Sequence, residues 1–179
     1  MNGDLQRIFL TEKQIREKVR DAAAWLDCRF AGKNPLAVSV LKGSVMFFCD
    51  LVRAMETPVQ IDFMTISSYG KSTRSSGMPE IVTDLTASVE GRDVILVEDI
   101  IDSGNTLLKL RELFIGRGAK SFTAVALLDK PSRRQVDIKA DYSCFEVGDE
   151  FIVGYGLDYA QQYRNLPYIA VLKRDVYEK

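Results

Sequence analysis

Apolar and polar positions along this chain fall into blocks, and the spacing within the blocks changes from helical to strand-like several times. Ile15, Val19, Ala22, Ala23 and Leu26 recur at helical spacing behind Thr11-Glu12-Lys13-Gln14, whose Thr and Gln suit a capping box. A helix to about Phe30 is predicted, broken by Gly32-Lys33-Asn34-Pro35. Leu36–Leu41 reads as a buried strand. Lys42-Gly43-Ser44 follows, then a second helical face of Val45, Phe48, Cys49, Val52 and Met55. Val59–Ile66 is a further strand, and Ile81–Val89 is strand-like up to a turn at 90–93. Between them, Ser67–Pro79 is a polar stretch rich in Ser and Gly. It exceeds an ordinary connection, so it reads either as a lid or as an excursion without structure.

The most informative block is Val94–Leu107. Val94, Ile95, Leu96 and Val97 form a continuous apolar run rich in β-branched residues, the pattern of a strand covered on both faces. Glu98 and Asp99 end the run, and Asp102 follows after two isoleucines. Ser103-Gly104-Asn105-Thr106 makes a tight polar turn before Leu107, Leu110, Leu113 and Phe114 resume helical spacing. Gly116-Arg117-Gly118 closes that helix, and Ser121–Leu128 is the next strand, with Asp129-Lys130-Pro131 at its carboxyl end. Arg133 and Arg134 read as solvated. Phe151–Tyr159 is a glycine-bent apolar stretch ending in acid and aromatic, and Tyr168–Lys173 is a last strand before a charged tail. Strands alternating with helices predict an α/β fold with a mostly parallel central sheet flanked by helices.

Composition narrows the chemistry. The chain has 179 residues, 46% of them hydrophobic and 27% charged, which suits one domain with a sizeable core. Its net charge of −1 gives no global field for nucleic acid. No apolar run approaches the roughly 20 residues of a membrane span, and the amino terminus lacks the apolar core of a secretion signal. Cys28, Cys49 and Cys144 are odd in number and far apart, which suggests reduced thiols in a cytosolic protein, packed as small core residues. There is no histidine. Triad catalysis and His-based metal sites are excluded, and a metal must be a hard, oxygen-bound ion such as Mg²⁺.

Acids and hydroxyl residues at the carboxyl end of a buried strand stand where open α/β sheets bind ligands. Gly104 permits a sharp turn, and the N–H groups opening a helix form an anion nest. Two readings remain for these residues: a solvated strand end with an ordinary helix cap, or an anion cradle with carboxylates beside it. Neither a G-x-x-x-x-G-K-[ST] loop nor a strand followed by G-x-G-x-x-G occurs. Lys42-Gly43-Ser44 is likewise either a plain turn or a second nest. Lys130 is either an exposed lysine or part of the same rim, and Asp158 a surface acid or a ligand-facing one.

The block VILVEDIIDSGNTL resembles the phosphoribosyl-diphosphate (PRPP) signature of the type I phosphoribosyltransferases at every position. Leu41-Lys42-Gly43, Ser68-Tyr69, Lys130, FIVGYGLDY and Arg164 extend the resemblance over nearly the whole chain, to the short bacterial hypoxanthine–guanine branch. The resemblance implies a single domain over residues 1–179, with a core of about 35–145. It implies a hood from about 1–10 and 146–179, and a mobile loop of about 67–80. It implies Mg²⁺-dependent transfer from PRPP to N9 of hypoxanthine or guanine, with release of pyrophosphate, by a cytoplasmic homodimer or homotetramer. Glu98 and Asp99 would meet the ribose hydroxyls, in part through Mg²⁺. Ser103, Gly104, Asn105 and Thr106 would hold the 5-phosphate, and Asp102 would exchange a proton with purine N7. The Leu41–Lys42 peptide would be cis, turning N–H groups at Lys42 and Gly43 toward pyrophosphate. Arg164 would add a contact there, and Asp158 would hold a second Mg²⁺ through its water shell. Phe151 would stack on the purine, Ile152 would read its edge, and Ser68-Tyr69 would close over the reacting centre. Lys130 offers only donors, which suits a 6-oxo group and opposes adenine's 6-amino group. A nucleotide-sensing regulator, a receiver-like domain and an adenine, orotate or uracil enzyme are the rivals. The charge balance, the Lys-Gly-Ser after the first strand, and the Lys130 and Phe151–Asp158 stretches weigh against them in turn.

Overall fold

The computed structural model describes residues 3–67 and 80–178. Ser68, Tyr69 and most of the proposed 67–80 loop lie outside the described residues. Six strands form the central sheet: β2 (Leu36–Leu41), β3 (Gln60–Ser67), β4 (Glu80–Thr83), β5 (Asp93–Ile101), β6 (Ser121–Asp129) and β7 (Tyr142–Glu146). Their spatial order is β4-β3-β2-β5-β6-β7, and every neighbouring pair is parallel except β3 with β4. The chain leaves β2 toward one edge and β5 toward the other. The junction between these two strands is therefore the point where strand order reverses, where a crevice opens at the carboxyl ends.

The apolar run of β5 is explained by its two covered faces. Ile95 and Val97 pack with helix α1 (Glu12–Phe30) and helix α2 (Val45–Ala54). Val94 and Leu96 pack with Leu107, Leu110 and Phe114 of helix α3 (Asn105–Gly116). The same alternation carries Glu98 toward the α3 face and Asp99 toward the α2 face. The capping box opens α1 as expected: Thr11 Oγ1 accepts from Gln14 N (3.3 Å), and Thr11 N donates to the Gln14 side chain (2.9 Å).

A second, antiparallel sheet joins β1 (Leu5–Leu10), β9 (Ile169–Leu172) and β8 (Ile152–Val153) in the order β1-β9-β8. Its inner residues Leu5, Val153, Ala170 and Leu172 form a small cluster, against which Phe151, Tyr159 and Tyr177 of the one-turn α4 (Arg174–Tyr177) pack. This is the hood expected of the fold, made from both ends of the chain. Among the described residues no helix is long and apolar enough to cross a membrane.

Three expectations are corrected. Cys144 is buried, but Cys28 and Cys49 are exposed. Helix α2 buries Phe47, Phe48 and Leu51 rather than the face centred on Cys49. Its residues are apolar nearly all round, so periodicity alone could not orient it. The stretch 81–89 is strand only to Thr83, because Asp62 of β3 accepts hydrogen bonds from Thr86 N and Ala87 N (both 2.8 Å) and turns the chain away.

Candidate active site

At the end of β2 the chain turns through a cis Leu41–Lys42 peptide. Ser44, fully buried, lashes this turn down: its Oγ donates to Val40 O (2.6 Å) and lies 2.7 Å from Ser39 Oγ. Gly43 is enclosed on two sides. A Cβ there would collide with the Asp99 carboxylate, and a Cβ on Gly156 (φ +101°) would collide with Gly43 O. Only glycine at both positions lets the β2 turn, the end of β5 and the 154–157 turn meet. Arg164 completes this corner. Its Nη1 donates to Gly156 O (2.7 Å) and its Nη2 pairs with Asp158 (2.6 Å), while Gln161 N donates to the other Asp158 oxygen (2.8 Å).

Two polar atoms at the site are buried without a hydrogen-bond partner among the described residues: Glu98 Oε1 and Arg164 Nε. Burial, and secondarily the neighbouring Asp99, pushes the Glu98 carboxyl well above the usual carboxylate range. Asp99 is pushed up to about 6, by burial first, with Arg164 opposing and Asp158 adding to the shift. A lone buried acceptor beside a second carboxylate fits a divalent cation. Among the described residues no three acids, cysteines or histidines converge on one point. A cation held here therefore keeps water or ligand oxygens in its shell, as Mg²⁺ does in phosphate-handling sites.

On the other face of β5, Gly104 opens α3 at φ +86° with no side-chain cap, and the first turn holds no acid. Ser103 Oγ accepts from Asn105 N (3.3 Å), and the helix presents the N–H groups that follow together with its positive dipole end. A Cβ on Gly104 would also press on Ile138, Arg134 and Val136 at 2.9–3.1 Å. A small cavity of about 80 Å³ is lined here by Glu98, Asp102, Ser103, Gly104 and Thr106, among others. Arg134 braces its wall. It donates to Asp102 O (2.7 Å) and pairs with Asp129. Arg133 bridges Asp149 (2.8 Å) and the Asp102 carboxylate (3.8 Å). Arg133 is exposed as expected, but Arg134 is largely covered, which corrects the reading of that residue.

Lys130 follows β6 directly, on the same rim. It is 7% exposed, and its Nζ donates to Glu150 O (3.0 Å). Burial, helped by Arg133, holds its amine below the ordinary lysine range. Phe151 follows one residue after that carbonyl. Tyr177 stacks on its ring at 4.7 Å and Tyr159 meets it edge-on at 5.7 Å.

The phosphoribosyl transferase domain family matches residues 7–160. The hypoxanthine-guanine phosphoribosyltransferase of Bacillus subtilis is 54% identical over 178 residues, 99% of each chain. The chain belongs to the phosphoribosyl transferase family. The bifunctional protein TilS/HprT of Listeria monocytogenes serotype 4b is 51% identical over 179 residues, all of this chain but 28% of that protein. A crystal structure of a hypoxanthine phosphoribosyltransferase from Staphylococcus aureus overlays with a TM-score of 0.94 at 45% identity, covering 100% of this chain and 97% of that one.

In this phosphoribosyl transferase, Gly43, Asp99, Asp158 and Arg164 gather at one corner, and Glu98, Asp102, Ser103, Gly104 and Thr106 line one cavity. Lys130 and Phe151 lie on the rim beside them, and Ile152 is buried in the hood strand opposite Val171. Asn105 turns outward, its amide donating to Gln135 (3.0 Å). The sequence reading placed Ser44 in the candidate second nest without its anchoring role, and missed the roles of Arg134, Tyr155 and Tyr177. Tyr155, Arg134 and Tyr177 reach Asp50, Asp102 and Phe151, which lie 105, 32 and 26 residues away in sequence, contacts that no local pattern carries.

Proposed function

We propose that the protein is a purine-salvage enzyme that transfers the 5-phosphoribosyl group of PRPP to N9 of hypoxanthine or guanine, releasing pyrophosphate and the nucleoside monophosphate. The carrying observation is the sharing of one rim by three features. These are the start of a helix without a side-chain cap on its Gly104, a buried acid without a hydrogen-bond partner among the described residues (Glu98) beside the half-buried Asp99, and a buried lysine that can only donate. The 5-phosphate would take the N–H groups and hydroxyls of Ser103–Thr106, where the α3 dipole favours an anion. Glu98 and Asp99 would meet the ribose hydroxyls. Mg²⁺, when bound, would be held by Glu98, Asp99 and, through water, Asp158, and would neutralise charge on the departing pyrophosphate. Lys42, Gly43 and Arg164 would hold that pyrophosphate, the unpartnered Arg164 Nε adding a donor.

As the bond to pyrophosphate stretches, the ribose gains positive charge, which fixed carboxylates nearby stabilise. Asp102 would take or share the purine N7 proton as N9 attacks. Lys130 would donate to the 6-oxo group, Phe151 would stack on the base and the Ile152 backbone would read its edge. Tyr177 stacks on one face of Phe151 and helps to hold its ring in place. Ser68 and Tyr69 would close over the centre and exclude water. The enzyme would work in the cytoplasm as a homodimer or homotetramer.

The test is turnover of PRPP and Mg²⁺ with hypoxanthine, guanine, xanthine and adenine, followed chromatographically. Nucleotide from the two 6-oxopurines, and a loss of about 10²-fold or more in kcat with Asp102→Ala, is expected. No product from either oxopurine, or an unimpaired Asp102→Ala enzyme, removes the reading.

A further inference from the structure

Tyr155 sits at the tip of the turn that carries the pyrophosphate corner, yet its side chain reaches α2. The turn is tight: Gly154 N donates to Leu157 O (3.0 Å) and Leu157 N to Gly154 O (3.1 Å), with Tyr155 itself at φ +49°. Non-glycine residues rarely adopt that conformation. The ring is 7% exposed, and its hydroxyl donates to Asp50 Oδ2 at 2.7 Å. Asp50 is otherwise loosely held, 48% exposed, with Arg53 at 3.9 Å. Helix α2 grows directly out of the Lys42–Ser44 turn: Val45 N donates to Lys42 O (3.3 Å) and Phe48 N to Ser44 O (2.8 Å). The next residue after Tyr155 is Gly156, which touches Gly43 O and whose carbonyl receives Arg164.

We propose that the Tyr155–Asp50 hydrogen bond is a strut that fixes the spacing between the two walls of the pyrophosphate subsite, the Lys42–Ser44 turn and the Gly156–Arg164 corner. Tyr155 is thus a positioning residue for the leaving group, and this rests on the reading of that subsite given above. Beside the strut lies a cleft of about 430 Å³, lined by Asp50, Arg53, Tyr155 and Pro167 among others. It leaves room for Asp50 and α2 to shift once the bond is gone. Burial, then Asp50, raises the phenol above its ordinary range, so it remains a donor at every physiological pH.

The reverse reaction, from IMP and pyrophosphate, lets the two subsites be varied separately. Tyr155→Phe keeps the ring and removes only the bond. It is expected to raise KM for pyrophosphate, and for PRPP in the forward direction, about tenfold, equivalent to ~1.4 kcal/mol. KM for IMP and hypoxanthine should change less than twofold. Asp50→Ala should reproduce this, the double variant should add nothing, and Asp50→Asn, which keeps an acceptor, should restore wild-type values. If Tyr155→Phe does not fold, Asp50→Ala at its half-exposed position carries the same comparison. An unchanged KM for pyrophosphate, purine and pyrophosphate constants rising together, or additive effects in the double variant would each overturn the strut. Wild-type protein that forms no IMP overturns the functional reading and the strut with it. Wild-type protein that turns over while the variants match it overturns the strut alone.

Discussion

Burying Glu98 is costly. Its Oε1 is buried without a hydrogen-bond partner among the described residues, and burial raises its folded-state pKa well above the unfolded value. For an acid shifted upward, the folded state binds the extra proton, so stability falls as pH rises from the unfolded pKa toward the folded one. Glu98→Gln imitates the protonated form. The variant should therefore outlast the parent in thermal melts without Mg²⁺, by a margin small at pH 5 and larger at pH 8. Each kcal/mol corresponds to about 2–4 °C in a domain of this size. The same variant should lose activity. A margin that is flat or shrinks with pH contradicts the assignment. Lys130 is the complementary case, a buried donor resting on Glu150 O and, on the proposed reading, available to the base. A hydrogen bond to a charged group contributes about 1.5–3 kcal/mol. Lys130→Ala should thus lower kcat/KM for hypoxanthine and guanine by roughly 10–150-fold. Steady-state rates on both bases decide this, and unchanged values would remove Lys130 from the base pocket.

The elements differ in how plainly the sequence announced them. The β5–α3 unit was legible because local constraints dominate it. Its two covered faces demand an apolar run, and its turn needs glycine both for φ +86° and for the approach of Ile138 and Arg134. Helix α1 was legible from its cap. Strands β1 and β7 were not. β7 is an edge strand with only Cys144 buried among its five residues, and β1 is fixed by pairing with β9, more than 150 residues away. The orientation of α2 was hidden by apolar residues on every side. These differences separate two substitutions. Thr11→Ala removes a cap worth about 1 kcal/mol. It should lower the melting temperature by a few degrees and leave kinetics untouched. Gly104→Ala strains the backbone and pushes on three side chains at once. It should cost stability and also raise KM for PRPP strongly. Equal kinetic behaviour of the two variants would mean that the α3 start is not the phosphate cradle.

At the scale of the whole molecule, a parallel sheet supplies anion chemistry at its switch point, and a small antiparallel hood lowers an aromatic wall over it. The charged tail after β9 looked inert in sequence, because nothing local marks Tyr177 as a partner for Phe151. In the structure, α4 folds back and stacks that tyrosine on the proposed purine platform at an interplanar angle of 23°. Tyr159 holds the same ring from its edge. On the proposed reading this aromatic end of the hood faces the base, while Arg164 and Asp158, from the same carboxyl-terminal segment, serve the pyrophosphate corner. Aromatic pairs of this kind contribute about 0.5–1.5 kcal/mol beyond their buried area. Tyr177→Ala should accordingly raise KM for hypoxanthine about 2–10-fold while KM for PRPP stays within error. A variant in which both constants rise together would show that the hood and the sheet respond as one unit, and that the base platform is not an independent module.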